Sequence, residues 1–247
     1  NGLYVAVGGT ILTSTDGASW TDRIPEAVKN NANIDLSGVT YGNGLFVAVG
    51  SRGTAGSGGI ILTSPDGTTW SKGSWSGFIQ ILDEVTYGNG LFVAVGSGGT
   101  ILTSSDGTIW TQRTSGTSGS LSGVTYGNGL FMTVPWGGNI LTSSDGTTWT
   151  KRTPDVPEIY LNGVTYGNGL FVAVAYGSGK GFIYTSPDGT SWTISPVTKA
   201  NLAAVTYRNG LFVAVGGNKT IITSTDGASW TKNENKTIIT STDGASW

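Results

Sequence analysis

Apolar residues along this chain arrive in short runs, each bounded by Gly, Asn, Asp or Ser. The most regular run is Leu-Phe-Val-Ala-Val, at 45–49, 91–95, 170–174 and 211–215, with the variants Leu-Tyr-Val-Ala-Val at 3–7 and Leu-Phe-Met-Thr-Val at 130–134. Five of these are preceded by Val-Thr-Tyr, at 39–41, 85–87, 124–126, 164–166 and 205–207. All six are followed by a run ending in Thr-Ser and then by the block S-x-D-G-x-x-W. That block closes at Trp20, Trp70, Trp110, Trp149, Trp192 and Trp230, at intervals of 50, 40, 39, 43 and 38. A period near forty that holds four short apolar runs is the signature of a β-propeller blade.

One unit serves to read the strands. Residues 121–126 alternate, and Gly127-Asn128-Gly129 supplies positive-φ residues for a tight hairpin. Residues 130–134 are a near-continuous apolar run, expected to be buried on both faces. A loop is expected at 135–139, a third strand at 140–143, a tight turn at Asp145-Gly146 and a fourth strand from Trp149 to Arg152. No stretch has a helical period with caps, and the best candidate, Ile24–Asn30, is one loop-bound turn. The expected fold is all-β, a single propeller domain over 1–247 with blades at about 1–23, 36–73, 82–113, 121–152, 161–194 and 202–232. Six blades are expected, with seven as the alternative.

Residues 233–247 stand apart from this frame. Asn218–Trp230 returns letter for letter as Asn235–Trp247. The first blade begins at its second strand, so the tail is expected to fill the vacant innermost place and close the ring by pairing the two ends of the chain.

The S-x-D-G-x-x-W block has a physical reading of its own. Asp at a β-turn accepts hydrogen bonds from backbone N–H groups one and two residues on, and Gly takes the left-handed position. Ser ties the preceding strand to the same turn, and Trp covers the hairpin between blades. Burying one indole stabilises by about 4–6 kcal/mol at most. Asp16, Asp66, Asp106, Asp145, Asp188 and Asp226, with the six Trp residues above, therefore read as fold chemistry. The block resembles the Asp-box (BNR) repeats of sialidases and of photosystem II assembly-factor-like propellers, whose usual pattern is S-x-D-x-G-x-T-W. This chain is one residue shorter between Asp and Trp. The resemblance implies the propeller fold. It does not imply an activity, because enzymes and non-enzymes share it.

Composition narrows the chemistry. The net charge of −2, with 11% charged residues, leaves no footprint for nucleic acid. There is no Cys and no His, which removes disulfides, thiolate metal sites, the Ser-His-Asp triad and most zinc chemistry. No apolar run reaches the length of a membrane helix, so no membrane insertion is expected. Neither a cofactor nor a metal is expected.

The internal copies also differ from one another, and on one face only. The Y-G-N-G turn and the D-G turn recur almost unchanged, whereas the second-to-third strand loops and the blade-to-blade connections vary freely. That variable face carries Trp136, Trp75, Tyr176, Phe182, Arg52, Lys180, Asp83, Glu84 and Glu158 as ligand-contact candidates. Trp136, in a short Pro-Trp-Gly-Gly loop with little to cover it, is the first of them. Phe78 and Tyr160, each beside an Ile or Leu, read as plugs that hold loops to the core. Asp83 and Glu84 are adjacent on a strand and so point to opposite faces. One is expected to be solvated and the other near the channel mouth, and they are no acid/base pair.

The resemblance to sialidases implies an arginine triad at the substrate carboxylate. Arg23, Arg113 and Arg152 each follow a block Trp by three residues, on outer strands of separate blades, and cannot meet at the axis. No paired carboxylates for another glycosidase and no phosphate loop can be identified. The expectation is a non-catalytic binding module that recognises a glycan or a protein through the variable face. It would be extracellular, cell-surface or virion-associated. A structural scaffold of a surface layer, fibre or virion, as part of a larger assembly or longer chain, is the alternative, and a sialidase-like glycoside hydrolase a lesser one.

Overall fold

A computed structural model describes residues 2–25, 33–53, 58–73, 79–137, 139–152 and 160–232. The strands form six separate antiparallel sheets, one per repeat. The first holds β1 (Tyr4–Val7), β2 (Ile11–Ser14) and β3 (Thr21–Asp22). The second holds β4 (Ile34–Gly42), β5 (Leu45–Arg52), β6 (Gly58–Ser64) and β7 (Ser71–Lys72), and the third β8 (Leu82–Gly88), β9 (Leu91–Gly96), β10 (Thr100–Ser104) and β11 (Thr111–Arg113). The fourth holds β12 (Leu121–Gly127), β13 (Leu130–Pro135), β14 (Ile140–Ser143) and β15 (Thr150–Arg152). The fifth is β16 (Tyr160–Gly167), β17 (Leu170–Gly177), β18 (Lys180–Ser186) and β19 (Thr193–Thr198), and the sixth β20 (Leu202–Arg208), β21 (Leu211–Gly216), β22 (Thr220–Ser224) and β23 (Thr231–Lys232). In every sheet the strands lie in chain order. The one helical turn among the described residues is a 3-10 turn at Ser97–Gly99. Most of the turn expected at 24–30, and the tail at 233–247 with its expected ring closure, lie outside the described residues.

The chain divides into two compact units, residues 1–121 with 146–148 and residues 122–145 with 149–247. Within each unit the core lies between successive sheets. In the first unit Val47 and Val49 pack toward Leu82, Val85 and Phe92 of the third sheet. Ala48, on the opposite face of β5, packs with Ile11 of the first sheet. In the second unit Met132 and Val134 meet Leu161 and Phe171, and Val172 and Val174 meet Leu202 and Phe212. The second strands β5, β9, β13 and β17 are therefore apolar at consecutive positions because both of their faces are covered.

The strand expectations hold in the fourth repeat, with two corrections. Pro135 ends β13 and does not begin a loop. In the hairpin only Asn128 and Gly129 take positive φ, 49° and 74°. The glycine before them, present in four of the five copies and replaced by Arg208 in the sixth repeat, serves the neighbouring sheet instead. A Cβ on Gly42, Gly127 or Gly167 would overlap the ring of Tyr87, Tyr166 or Tyr207 from the next repeat. Each of these rings in turn packs on a Phe of its own sheet, with centroids 4.6 Å apart for Tyr87–Phe92 and 4.8 Å for Tyr166–Phe171.

The D-G turns close as a side-chain cage. In the third repeat the Ser104 hydroxyl donates to Asp106 Oδ1 at 3.0 Å and accepts from the Gly107 N–H at 2.9 Å. Asp106 Oδ1 accepts the N–H groups of Thr108 and Ile109 at 2.8 and 2.9 Å. The donors are thus two and three residues on, not one and two. They hold the carboxyls of Asp16, Asp66, Asp106, Asp188 and Asp226 below the usual carboxylate range, the backbone N–H donors being the main cause. Because the folded pKa values are lowered, this contribution is present above the unfolded pKa and disappears only in strong acid. Replacing Asp106 with Ala should lower the thermal midpoint by a few degrees in scanning calorimetry, with no loss of cooperativity.

The Trp expectation holds for some repeats. Trp70 is buried at 5% exposure, and its Nε1 donates to the Gly67 carbonyl at 2.8 Å. Trp110 and Trp230 make the same bond, at 3.0 and 2.9 Å. Trp20 keeps the bond at 3.2 Å yet is 42% exposed, so it does not carry the burial assigned to it. Trp192 is partly buried, and its Nε1 is enclosed without a partner.

Candidate functional site

Each sheet has two ends. The Asn-Gly and Asp-Gly turns occupy one, and the loops that vary between repeats occupy the other. At the variable end of the second unit three chain segments run side by side. Tyr160, at the start of β16, pairs in register with Tyr176 of β17. On its other side Tyr160 makes an isolated antiparallel bridge to Trp136, just past β13. Backbone pairing on both flanks fixes the position of Tyr160.

The rings of Trp136 and Tyr160 lie 5.6 Å apart between centroids, tilted by 53°, and are 61% and 51% exposed. Two aromatic faces in an open V can each stack on a flat apolar surface while the phenol hydroxyl and indole N–H remain available. Tyr176 is partly exposed beside them. Tyr160 is therefore no plug. Strand alternation separates it from Leu161, which is 3% exposed and carries the packing. That alternation was the signal in the sequence.

No protein-family model matches the chain, and no curated protein matches it in sequence. Solved structures do. YCF48 bound to a D1 peptide superposes with a TM-score of 0.68 at 17% identity, over 93% of this chain and 76% of that one. Virginiamycin B lyase from Staphylococcus aureus gives 0.74 at 15% identity, over 94% and 84%. The WD40 propeller domain of Doa1 gives 0.69 at 13% identity, over 93% and 77%. The fold is a β-propeller. The six sheets are its blades.

The remaining candidates fall at several places on those blades. Phe182, on β18, packs against the core shared by the fourth and fifth blades and is only partly exposed. Lys180 is exposed at the β17–β18 turn. Arg52, at the end of β5, is partly buried and engaged in a contact. Trp75 and Glu158 lie outside the described residues. A second concavity, about 650 Å³, lies on the third blade between Gly98-Gly99 and residues 112–118. Glycine backbone and Ser or Thr residues make up most of its lining.

Asp83 and Glu84 occupy a β-bulge, where the β8–β9 register slips between Leu82 and Glu84. Neither is fully solvated, contrary to the expectation from simple alternation. The bulge turns Glu84 toward Gly38 of the preceding blade, where its Oε1 stands 2.7 Å from the position a Cβ would take. Burial pushes the Asp83 carboxyl up to about 6. Burial, opposed by the Val85 N–H and reinforced by the charge on Asp83, pushes the Glu84 carboxyl up to about 7.

The outer-strand arginines are structural. Arg23, Arg113 and Arg152 each donate from Nε to a third-strand threonine, Thr13, Thr103 or Thr142, at 3.1, 2.8 and 3.0 Å. Among the described residues no three acidic side chains gather as metal ligands.

Proposed function

We propose that this propeller is a non-catalytic binding module that engages a glycan or a protein surface through its variable-loop end. The observation that carries the reading is the exposed Trp136–Tyr160 pair, held by backbone pairing on both sides of Tyr160. Rigid aromatic rings lose little entropy on binding and stack on sugar rings or on apolar peptide side chains. The D-G turns are read as a shortened Asp-box, a scaffold element with no part in recognition. A propeller of the same fold binds a peptide, YCF48 with its D1 segment, which supports a protein ligand as readily as a glycan.

The lyase neighbours supply the enzymatic alternative. A histidine-to-alanine variant of virginiamycin B lyase is catalytically inactive, and this chain contains no histidine. The three arginines held by threonines on outer strands argue equally against a sialidase site. An extracellular, cell-surface or virion location suits a neutral surface of low charge.

Trp136→Ala should reduce binding at least tenfold on a glycan array or in partner capture, about the 1.4 kcal/mol expected for one stacked aromatic. The thermal midpoint should stay unchanged, because the ring is exposed. An unaltered binding profile would remove this pair from recognition and favour the scaffold reading, in which the blades only present surfaces to neighbouring subunits.

A further inference from the structure

Three aromatic residues stand in register across the variable end of the fourth and fifth blades. Trp136 bridges to Tyr160, and Tyr160 pairs with Tyr176. Residues directly opposite one another in antiparallel strands carry their side chains on the same face, so the three form one row. The row continues into β18 and β19, because Tyr176 pairs with Gly181 and Gly181 with Thr198. Beside these last two positions stand Lys180 and Lys199, both exposed. Neighbouring strands lie about 4.8 Å apart, which puts about 14 Å between Trp136 and β18. Along that line the side chains run from aromatic to basic. Charge is divided along the blades as well. Among the described residues of the second unit the carboxylates are Asp145, Asp188 and Asp226, all in D-G turns at the other end. Asp155 and Glu158 lie outside the described residues.

Resting on the binding-module reading above, we propose that this row takes a proline-rich acidic peptide segment in the polyproline II conformation. Shape, hydrogen bonding and charge each select that occupant. The Trp136 and Tyr160 rings are tilted by 53° with centroids 5.6 Å apart, an open wedge between aromatic faces of the kind that receives proline rings. The polar groups of the row are an indole N–H, two phenol O–H groups and two ammonium groups. All of them donate, and the phenol oxygens are the only side-chain acceptors. A polyproline II segment has the converse chemistry: proline has no N–H, and its carbonyls make no internal hydrogen bonds. A glycan is the poorer match, since each hydroxyl is also a donor that needs an acceptor here. Lys180 and Lys199 then select acidic side chains. At about 3.1 Å per residue the 14 Å row spans four or five residues of such a segment. An Asp or Glu therefore meets the lysines when it lies about that far from the proline held in the wedge.

Titration calorimetry on the full chain tests this with a peptide of five prolines joined to three glutamates, made in both orders. One of the two should saturate at one peptide per chain. Tyr160→Ala should weaken it at least tenfold without moving the thermal midpoint, because the ring is exposed. Lys180→Ala with Lys199→Ala should weaken it about tenfold, as should raised salt on the wild type. The same double variant should leave a peptide with glutamine in place of glutamate unaffected. Failure of both peptides to saturate overturns the proposal, as does binding that ignores Tyr160 or the two lysines. An oligogalacturonate, an acidic glycan, is the competing probe. If it binds through Trp136 and the peptides do not, the segment assignment falls while the binding module stands.

Discussion

Replacing Gly127 with alanine should cost this propeller more than about 3 kcal/mol, at the upper end for overpacking in a closed core. The backbone is not the reason, because Gly127 has no positive φ. The reason is the Tyr166 ring, which fills the place of the added methyl and is itself held against Phe171. Neither ring can yield without opening the interface between the fourth and fifth blades. Gly129→Ala is the informative contrast. It has open space around it but a φ of 74°, so it should cost about 1 kcal/mol from backbone strain alone. Adding Tyr166→Ala to Gly127→Ala should recover part of the loss, a non-additivity that urea denaturation would detect. Equal effects for the two glycine variants would refute the ring-packing account.

Glu84→Gln should stabilise the protein at pH 8 by about 2 kcal/mol and leave it unchanged at pH 4. The sign follows from the direction of the shift. The Glu84 pKa rises on folding from 4.5 to about 7, so the folded state holds its proton where the unfolded state has lost it. Stability is then complete below the unfolded value, declines as pH climbs from about 4.5 to 7, and is flat beyond. Asp83, raised to about 6, adds a decline of the same sign over a lower window. The D-G turn carboxylates have the opposite sign, and their window opens near pH 5 and runs down into strong acid. Urea midpoints between about pH 5.5 and pH 8, above that window, test the point. A wild-type profile that rises with pH, or a variant with the same slope as wild type, would contradict burial of this carboxyl beside Gly38.

Much of the scaffold was legible because it rests on local rules. Val-Thr-Tyr followed by Gly-Asn-Gly specifies a strand and a two-residue hairpin wherever it occurs. The cage around Asp106 joins residues no more than three apart in sequence. The exposure of Trp136 was legible because it breaks the repeat, in a loop where other copies carry glycine and serine. Tyr160 was misassigned by weighing its neighbour Leu161 above strand alternation. Its partnership with Trp136 could not be read, since a bridge between blades leaves no periodic mark. Trp20 shows the limit of the repeat itself: it ends the same letters, S-T-D-G-A-S-W, as Trp230, yet it is 42% exposed while Trp230 is partly buried.

The sequence by itself determined the strand order, the turn chemistry and the number of repeats, all set by contacts within a hairpin. Only the tertiary structure decided why the first glycine of Y-G-N-G is needed, which way the bulge aims Glu84, and that Trp136 meets Tyr160. Each of these joins residues from adjacent blades. The fit between two packed faces depends on the relative position of whole sheets, which no local pattern encodes.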